Sequence, residues 1–340
     1  MKLFNILFTL FGVVTVIFFL FQILPGDPAR MMMDQNEDVE QLEIIKKKYG
    51  FDEPILNQYL YYLNYLSIIS IHSKNPEKIN FIRENKYSFT KIYDFQNSTL
   101  VLKFPYLRES YQRRGVKVST IIMDTFPNTV VLAISSILFA TVFGLLLGIL
   151  SALYKETLFD NSIQLFSTFG MSMPSFLSSI IFAWIFGFVL ADITGLNMTG
   201  SLFELDDFGD EYRLELKNLI LPSIVLGIRP IAVISMMMRN SLIETLKKNY
   251  VITAYAKGLS KSKVILNHCL KNSLNPVITA LSGWFASLLA GSVFVEYIFG
   301  WNGLGREIVN SLNLLDVPVI IGAVIVVSFS FIMINPKIYS

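Results

Sequence analysis

Residues 3–24, LFNILFTLFGVVTVIFFLFQIL, contain no charged side chain. At 1.5 Å rise per residue a helix of that length covers about 30 Å, the thickness of a bilayer's hydrocarbon layer. A secretory signal peptide is the competing reading. The run exceeds a signal's apolar region, however, and Pro25-Gly26-Asp27-Pro28 makes a poor cleavage site. Five further apolar stretches lie at 129–153, 162–190, 219–238, 277–295 and 317–334. Six transmembrane helices are therefore expected. With 53% apolar and only 16% charged residues, one soluble domain of ordinary composition is excluded.

An even number of spans puts both termini on one side. Lys2, Lys155, Arg239, Lys247, Lys248, Lys257, Lys261, Lys263, Lys271 and Lys337 fall in the termini and in the loops after the second and fourth spans, whereas the 191–218 loop is acidic. The positive-inside rule then faces both termini to the cytoplasm. Residues 25–128 form a long loop, which translocates largely regardless of charge, and are expected as an extracytoplasmic domain. Within it, 37–66 has the spacing of a helical hairpin: Val39, Leu42, Ile44 and Ile45 precede Tyr49-Gly50, and a second start at Asp52-Glu53-Pro54 precedes Ile55, Leu56, Tyr59, Leu60 and Leu63. From 68 to 118 the pattern loosens into turns and short strand-prone runs such as Thr99–Lys103.

Catalytic signatures are missing. There is no phosphate-binding loop, no H-E-x-x-H and no G-x-S-x-G. The lone Cys269 excludes an internal disulfide, and with only His72 and His268, far apart, no metal cage is expected. A net charge of +2 gives no nucleic-acid footprint. The Gly300–Gly305 run follows a span and is no nucleotide fingerprint. Energy must therefore come from another chain, and the sites to seek are a docking surface and a substrate path. Gly144 and Gly148 have the small-xxx-small spacing that lets helices approach, most simply within this chain. Pro174, Pro222 and Pro230 should kink their spans.

Between the fourth and fifth spans, Tyr250–Lys263 and Asn267–Pro276 read as a short helix ended near Gly258, a turn capped by Ser260, and a second helix stopping before Pro276. Tyr250, Ala254 and Gly258 recur every four residues, a face with small residues along which another protein's groove can approach the backbone. Val251, Tyr255 and Leu259 make the adjacent apolar face. Arg229, about ten residues into the fourth span, must face a partner or an aqueous cavity. It either lines a path, or sits in a buried ion pair or caps carbonyls freed by Pro230. Glu296 and Asp316 bracket the 297–315 loop, whose Trp301 and Gly303 fit a partly re-entrant outer gate or plain interfacial anchoring. Asp27 reads as a turn and helix-end residue, and Met31–Met33 as apolar surface.

Thr253-Ala254-Tyr255-Ala256-Lys257-Gly258-Leu259-Ser260, with Asn272-Ser273-Leu274-Asn275-Pro276 downstream, resembles the cytoplasmic motif of binding-protein-dependent ABC importer permeases. The dipeptide and oligopeptide branch is indicated by Leu24–Pro28, Pro127–Thr129, Met173–Phe176, Arg239–Leu242 and Phe294–Gly305. The resemblance implies an all-α type I permease fold of six transmembrane helices with an extracytoplasmic insertion: a first helix over 1–24, a domain over 25–128, and a five-helix core over 129–340 carrying a cytoplasmic coupling loop at 239–275. It implies no catalytic, metal or cofactor site in this chain, since ATP is bound by partner subunits. The implied partners are a second homologous permease, two ATP-binding subunits, an extracytoplasmic solute-binding protein and the lipid bilayer, with no nucleic acid. Tyr250, Ala254, Tyr255, Ala256, Gly258 and Leu259 are the implied coupling residues; Arg229, Glu296, Trp301 and Gly303 are the path or gate candidates. Tyr255 stands where the family has a basic or small residue, Asn335-Pro336-Lys337 arrives early, and 68–118 exceeds the family's short linker. Di- or oligopeptides are the implied substrates, a metal chelate or other small solute the alternative. A secondary carrier or an intramembrane enzyme are rivals, but no repeat-like halves are visible and the spans are nearly charge-free.

Overall fold

A computed structural model of the chain describes residues 2–23, 27–33, 39–76, 78–82, 88–206 and 209–334. In order these form α1 (Lys2–Ile23), α2 (Pro28–Met31), α3 (Val39–Tyr49), α4 (Ile55–Leu66), β1 (Ile69–Ser73), β2 (Phe89–Asp94), β3 (Ser98–Lys103), α5 (Val118–Leu153) and α6 (Leu158–Ser172). Next come α7 (Ser175–Trp184), a π-helical turn Ile185–Val189, α8 (Ala191–Thr194), the hairpin β4 (Phe203–Leu205) and β5 (Tyr212–Leu214), and α9 (Ile220–Leu246). The chain then runs through α10 (Asn249–Ala256), α11 (Lys261–Val264), a π-helical turn Ile265–Cys269, α12 (Leu270–Ser273), α13 (Asn275–Gly291), α14 (Val293–Phe299), α15 (Leu304–Asn313) and α16 (Val317–Ile334).

Among the described residues four stretches are long and apolar enough to cross a membrane singly: Phe4–Ile23, Val118–Leu153, Leu216–Leu246 and Val317–Ile334. Two bent pairs bring the number to six if each counts as one span: Leu158–Ser172 with Ser175–Val189, bent by 108°, and Lys261–Ser273 with Asn275–Gly291, bent by 47°. The apolar run 162–190 is therefore not one straight helix. Proline lacks an amide donor and drives the residue before it out of the helical region, so Met173 and Pro174 are both extended and the helix breaks there rather than kinking. Pro222, by contrast, sits in the first turn of α9, where its missing amide donor costs nothing, and Pro230 is carried inside that helix. The second span also starts earlier than expected, at Val118, with Pro127 within it. The Asn335-Pro336-Lys337 stretch lies outside the described residues, as do Leu24, Pro25 and Gly26.

Two compact units are distinguished: residues 1–124 with 310–326, and 125–309 with 327–340. In the first, the expected hairpin is α3 and α4. Gly50 ends α3 at φ +76, its amide returning to the Lys46 carbonyl at 2.8 Å, a left-handed stop that suits glycine. Asp27 is a helix-end residue, accepting from the Ala29 amide at 3.0 Å at the start of α2. Strands β1, β3 and β2 form an antiparallel sheet in that order, and the strand-prone Thr99–Lys103 makes up most of its central strand. Thr99, Val101 and Lys103 alternate inward along it. The Lys103 ammonium donates to the Tyr65 and Ser67 carbonyls at the C-terminal end of α4, where a cation suits the helix dipole. Val14, Phe18, Tyr59, Tyr62 and Ile321 share one core, with the Thr15 and Tyr59 hydroxyls 2.6 Å apart.

The second unit is built on α9. Near its start, Leu221, Val225 and Leu226 pack with Leu132, Ala133, Leu288, Leu289, Phe299 and Trp301. Further along, Ile234, Met238 and Leu242 pack with Ala140, Val251, Ala254, Val264 and Cys269. The small-xxx-small pair serves this intrachain contact: a Cβ on Gly148 would lie 2.6 Å from the Ser235 carbonyl, and one on Gly144 2.8 Å from the Ile234 Cβ. The opposite side of α5 leaves Leu138, Val142 and Leu146 exposed, as a lipid-facing surface requires.

Candidate functional site

Helix α10 and the turn after it lie where the docking motif was expected. The helix stops as its residues dictate: Gly258 adopts φ +80, and the Gly258 and Leu259 amides return to the Tyr255 and Ala254 carbonyls at 2.9 and 3.3 Å. Ser260 occupies the N-cap position of α11 with extended backbone, but its side chain makes no capping bond. The second helix does stop before Pro276, at Ser273, and α13 restarts at Asn275.

The face of α10 differs from the expected one. Ala254 is only 5% exposed and Val251 fully buried, both in the core shared with Leu242 and Val264. Of the Tyr250–Ala254–Gly258 row only Ala254 turns inward; Gly258 is exposed, and Tyr250, at 41%, is as exposed as Tyr255. Facing out with them are Ile252 at 58% exposure and Tyr255 at 40%, together with Thr253, Ala256 and Lys257. Tyr250 is partly exposed and accepts from the Asn272 side-chain amide at 2.9 Å, while Leu259 is half-buried. The helical period allows either stripe inward. α9 and α11 supply the apolar partners that decide it.

Asp160 and Arg239 lie in the same unit. Asp160 is buried at the start of α6 and takes both Arg239 donors: Nε to Oδ1 at 2.7 Å and Nη2 to Oδ2 at 2.6 Å. Ser151 Oγ, the Glu156 amide at 2.9 Å and the Gln164 side-chain amide at 3.1 Å also donate to it. This fork, the bidentate geometry an arginine favours, holds α6 against α9. Asp160 is the only charged residue between Leu158 and Leu190 and follows Thr157 in a capping arrangement, the one local signal of this site in the residue order.

Glu296, Trp301 and Gly303 are brought together in one buried turn between α14 and α15. Gly300 ends α14 at φ +67. Trp301 donates from Nε1 to the Asn128 carbonyl at 3.0 Å. Glu296 is fully buried and accepts from the Gly305 amide at 2.7 Å, the Arg306 amide at 3.2 Å and Ser292 Oγ at 2.8 Å. Four donors converge on this carboxylate once Thr129 is included, so the charge is bound within the turn and not offered to a passing solute. Asp316 has the same kind of shell in the other unit, accepting from the Tyr111 amide at 2.9 Å and from Ser110 Oγ.

Arg229 is exposed on α9, and its Nη2 reaches the Met171 carbonyl at 3.5 Å, beside the break at Pro174. It borders a small cavity of about 50 Å³ with Gly170, Met173, Ser175 and Ser178.

The description "Binding-protein-dependent transport system inner membrane component" fits residues 144–335, and its N-terminal counterpart, "Binding-prot-dependent transport system membrane comp, N-term", fits residues 1–81. A di/tripeptide transport system permease protein of Pseudomonas aeruginosa is 32% identical over 96% of this chain and 90% of its own length. A dipeptide transport system permease protein of Lactococcus lactis is 32% identical over 94% of this chain and 88% of its own. A glutathione transport system permease protein of Escherichia coli is 30% identical over 98% and 92%. The matches run across both units and nearly end to end. The chain belongs to the family of inner-membrane components of binding-protein-dependent transport systems, the ABC importer permeases that its motifs resemble.

Proposed function

We propose that this permease carries di- or oligopeptides, forming half of the translocation path with a second homologous permease above two ATP-binding subunits, and receiving substrate from an extracytoplasmic solute-binding protein. Relatives named for dipeptides, di- and tripeptides and glutathione, each aligned over more than nine tenths of the chain, carry the substrate reading. In this reading six spans cross the inner membrane with both termini cytoplasmic. Residues 25–128 form the extracytoplasmic domain, and the 129–340 core presents the 239–275 loop to the ATPases. The chain is not itself an enzyme and holds no cofactor; ATP is bound by its partners.

The docking surface is the outward side of α10, Tyr250, Tyr255 and Ala256 with Ile252 added, continued by Gly258 and Leu259; Ala254 supports it from below. Its support is an exposed apolar patch on a helix of the soluble loop, rimmed by Lys257 and Lys248. Glu296, Trp301 and Gly303 act as the rigid frame of the outer gate, and Arg229 lines the path and holds a peptide carboxylate.

Gly258→Asp tests the docking assignment. No atom lies within 4 Å of where its Cβ would sit, so the substitution adds only the left-handed backbone penalty, about 1–2 kcal/mol. The tagged variant should stay membrane-inserted and lose the ATPase on co-purification, as should Ile252→Asp. Normal ATPase recovery and normal peptide uptake in both would refute the surface. Arg229→Gln should weaken uptake of peptides with a free carboxylate more than that of amidated ones; equal uptake of the two would remove Arg229 from the path.

A further inference from the structure

The first unit contains a cavity of about 310 Å³ that the transport reading does not use. It lies between the last turns of α1, at Phe18, Phe21 and Gln22, and the first turn of α16, at Val317, Pro318 and Ile321. Arg108 and the tyrosines 49, 62, 65 and 111 form its polar wall. The other charges on that wall, Asp27 and Lys46, neutralise each other across 3.0 Å. Arg108 has no carboxylate partner among the described residues. Its Nη1 donates to the Tyr111 hydroxyl at 3.3 Å and its Nη2 to the Tyr49 carbonyl at 3.2 Å, and its guanidinium lies 5.9 Å from the Tyr65 and Tyr111 ring centres. A guanidinium has five N–H groups, so donors remain. The Arg108 backbone is held at φ +70, a conformation disfavoured for a side chain of this size.

Tyr62 supplies the second, independent observation. It is 2% exposed and lines the same cavity, and its hydroxyl has no hydrogen-bond partner among the described residues. Buried hydroxyls are rarely left so. A cation without a carboxylate and a hydroxyl without a partner among the described residues, on one wall, are complementary to an oxyanion. The flanking walls belong to two helices of membrane-crossing length and composition, at the ends where a lipid's phosphate layer would lie.

We propose that this cavity binds one phosphate oxyanion, either the headgroup of an anionic membrane lipid or free inorganic phosphate, with Arg108 as its cationic partner and the Tyr62 hydroxyl donating to it. The site is independent of which solute the importer carries. Arginine's planar fork suits a phosphate better than a lysine's point charge does, so Arg108→Lys should rescue only part of the binding.

The test uses the assembled importer, purified in mild detergent, with phosphatidylglycerol and inorganic phosphate as probes. Native mass spectrometry should find one more retained phosphatidylglycerol in the wild type than in Arg108→Gln, and about tenfold weaker retention in Tyr62→Phe. If retained lipid is equal but millimolar inorganic phosphate raises the melting temperature of the wild type and not of Arg108→Gln, the source is the free anion. If neither probe distinguishes the wild type from Arg108→Gln, the site is refuted. Tyr62→Phe keeps the test sound should Arg108→Gln fold poorly: it deletes a hydroxyl without a partner, so its melting temperature after delipidation should equal or exceed the wild type's. A lower value would show the hydroxyl to be structural and overturn its assigned role.

Discussion

The turn around Glu296 predicts a strong energetic coupling between Gly303 and Glu296. A Cβ on Gly303 would fall onto the Glu296 Oε2 and lie 2.7 Å from Thr129 Oγ1. Gly303 is not among the positive-φ glycines, so alanine meets no backbone obstacle and the substitution is a purely steric probe. Neither neighbour can retreat. Glu296 is held by the Gly305 and Arg306 amides, and Thr129 Oγ1 accepts from the Leu304 amide at 2.8 Å. Overpacking a buried site costs about 1–3 kcal/mol, and displacing the carboxylate from one amide adds about 1.5–3 kcal/mol. Gly303→Ala should therefore cost about 3–5 kcal/mol. Glu296→Ala should cost a similar amount, because it leaves two buried amides unpaired at about 1–3 kcal/mol each. In the Glu296→Ala background the new methyl enters vacated space, and Gly303→Ala should cost only about 1 kcal/mol. The coupling energy is then about 2–4 kcal/mol, well above the ~0.5 kcal/mol scatter of independent sites. Equilibrium unfolding in mixed micelles, followed by tryptophan fluorescence with Trp301 inside the turn, measures all four variants. Simple additivity would falsify the picture of Gly303 as the seat of the Glu296 carboxylate.

Three further substitutions or titrations probe other parts of the structure. Gly148→Ala pushes a methyl against the Ser235 carbonyl and the Met238 Cβ, 2.6 and 2.7 Å away, and should cost roughly 1–3 kcal/mol; an unchanged unfolding midpoint would disprove the close α5–α9 approach. Asp160→Asn leaves the largely buried Arg239 guanidinium without its carboxylate and should destabilise by roughly 2–4 kcal/mol, with loss of uptake partly restored by the double variant Asp160→Asn with Arg239→Gln; a single variant as stable as the wild type would show the fork to be dispensable. Burial pushes the Lys103 ammonium down to about 8. Below that pH both folded and unfolded states are protonated and the folded state bears the full cost of the buried charge. Between about 8 and the unfolded value of 10.5 the unfolded chain binds more protons, so stability should rise with pH by up to about 2 kcal/mol once solvent screening is allowed for. Thermal melts of wild type and Lys103→Met across pH 7–10 check this, and parallel pH curves for the two would exclude Lys103 as the source.

Membrane character, the helical hairpin, the α10 stop at Gly258 and the intrachain use of Gly144 and Gly148 were all readable from residue order. Each depends on neighbours a few positions away: an apolar run, a glycine after a helical period, a four-residue spacing. Asp160 was missed because its partner Arg239 is remote in sequence, although a lone carboxylate in an apolar stretch was the available signal. The break at Pro174 was expected only as a kink, since a proline announces a disturbed helix but not the angle its neighbours will accept. Glu296, Trp301 and Gly303 stand with Arg229 among the path or gate candidates legible in the residue order, but the structure brings only the first three together. Their burial as a single hydrogen-bonded turn depends on Asn128 and Thr129, which come from the start of the second apolar stretch.

By itself, then, the chain's residue order determines that lipid is its solvent, where its apolar stretches lie, where α10 stops, and which permease family its motifs match, because hydropathy, capping and motif spacing are local quantities. Only the tertiary structure decided which face of α10 turns outward, that Glu296 is enclosed and not exposed to a path, and that Arg108 and Tyr62 meet at one cavity. Burial is set by what packs against a residue, and those partners lie tens to hundreds of positions away.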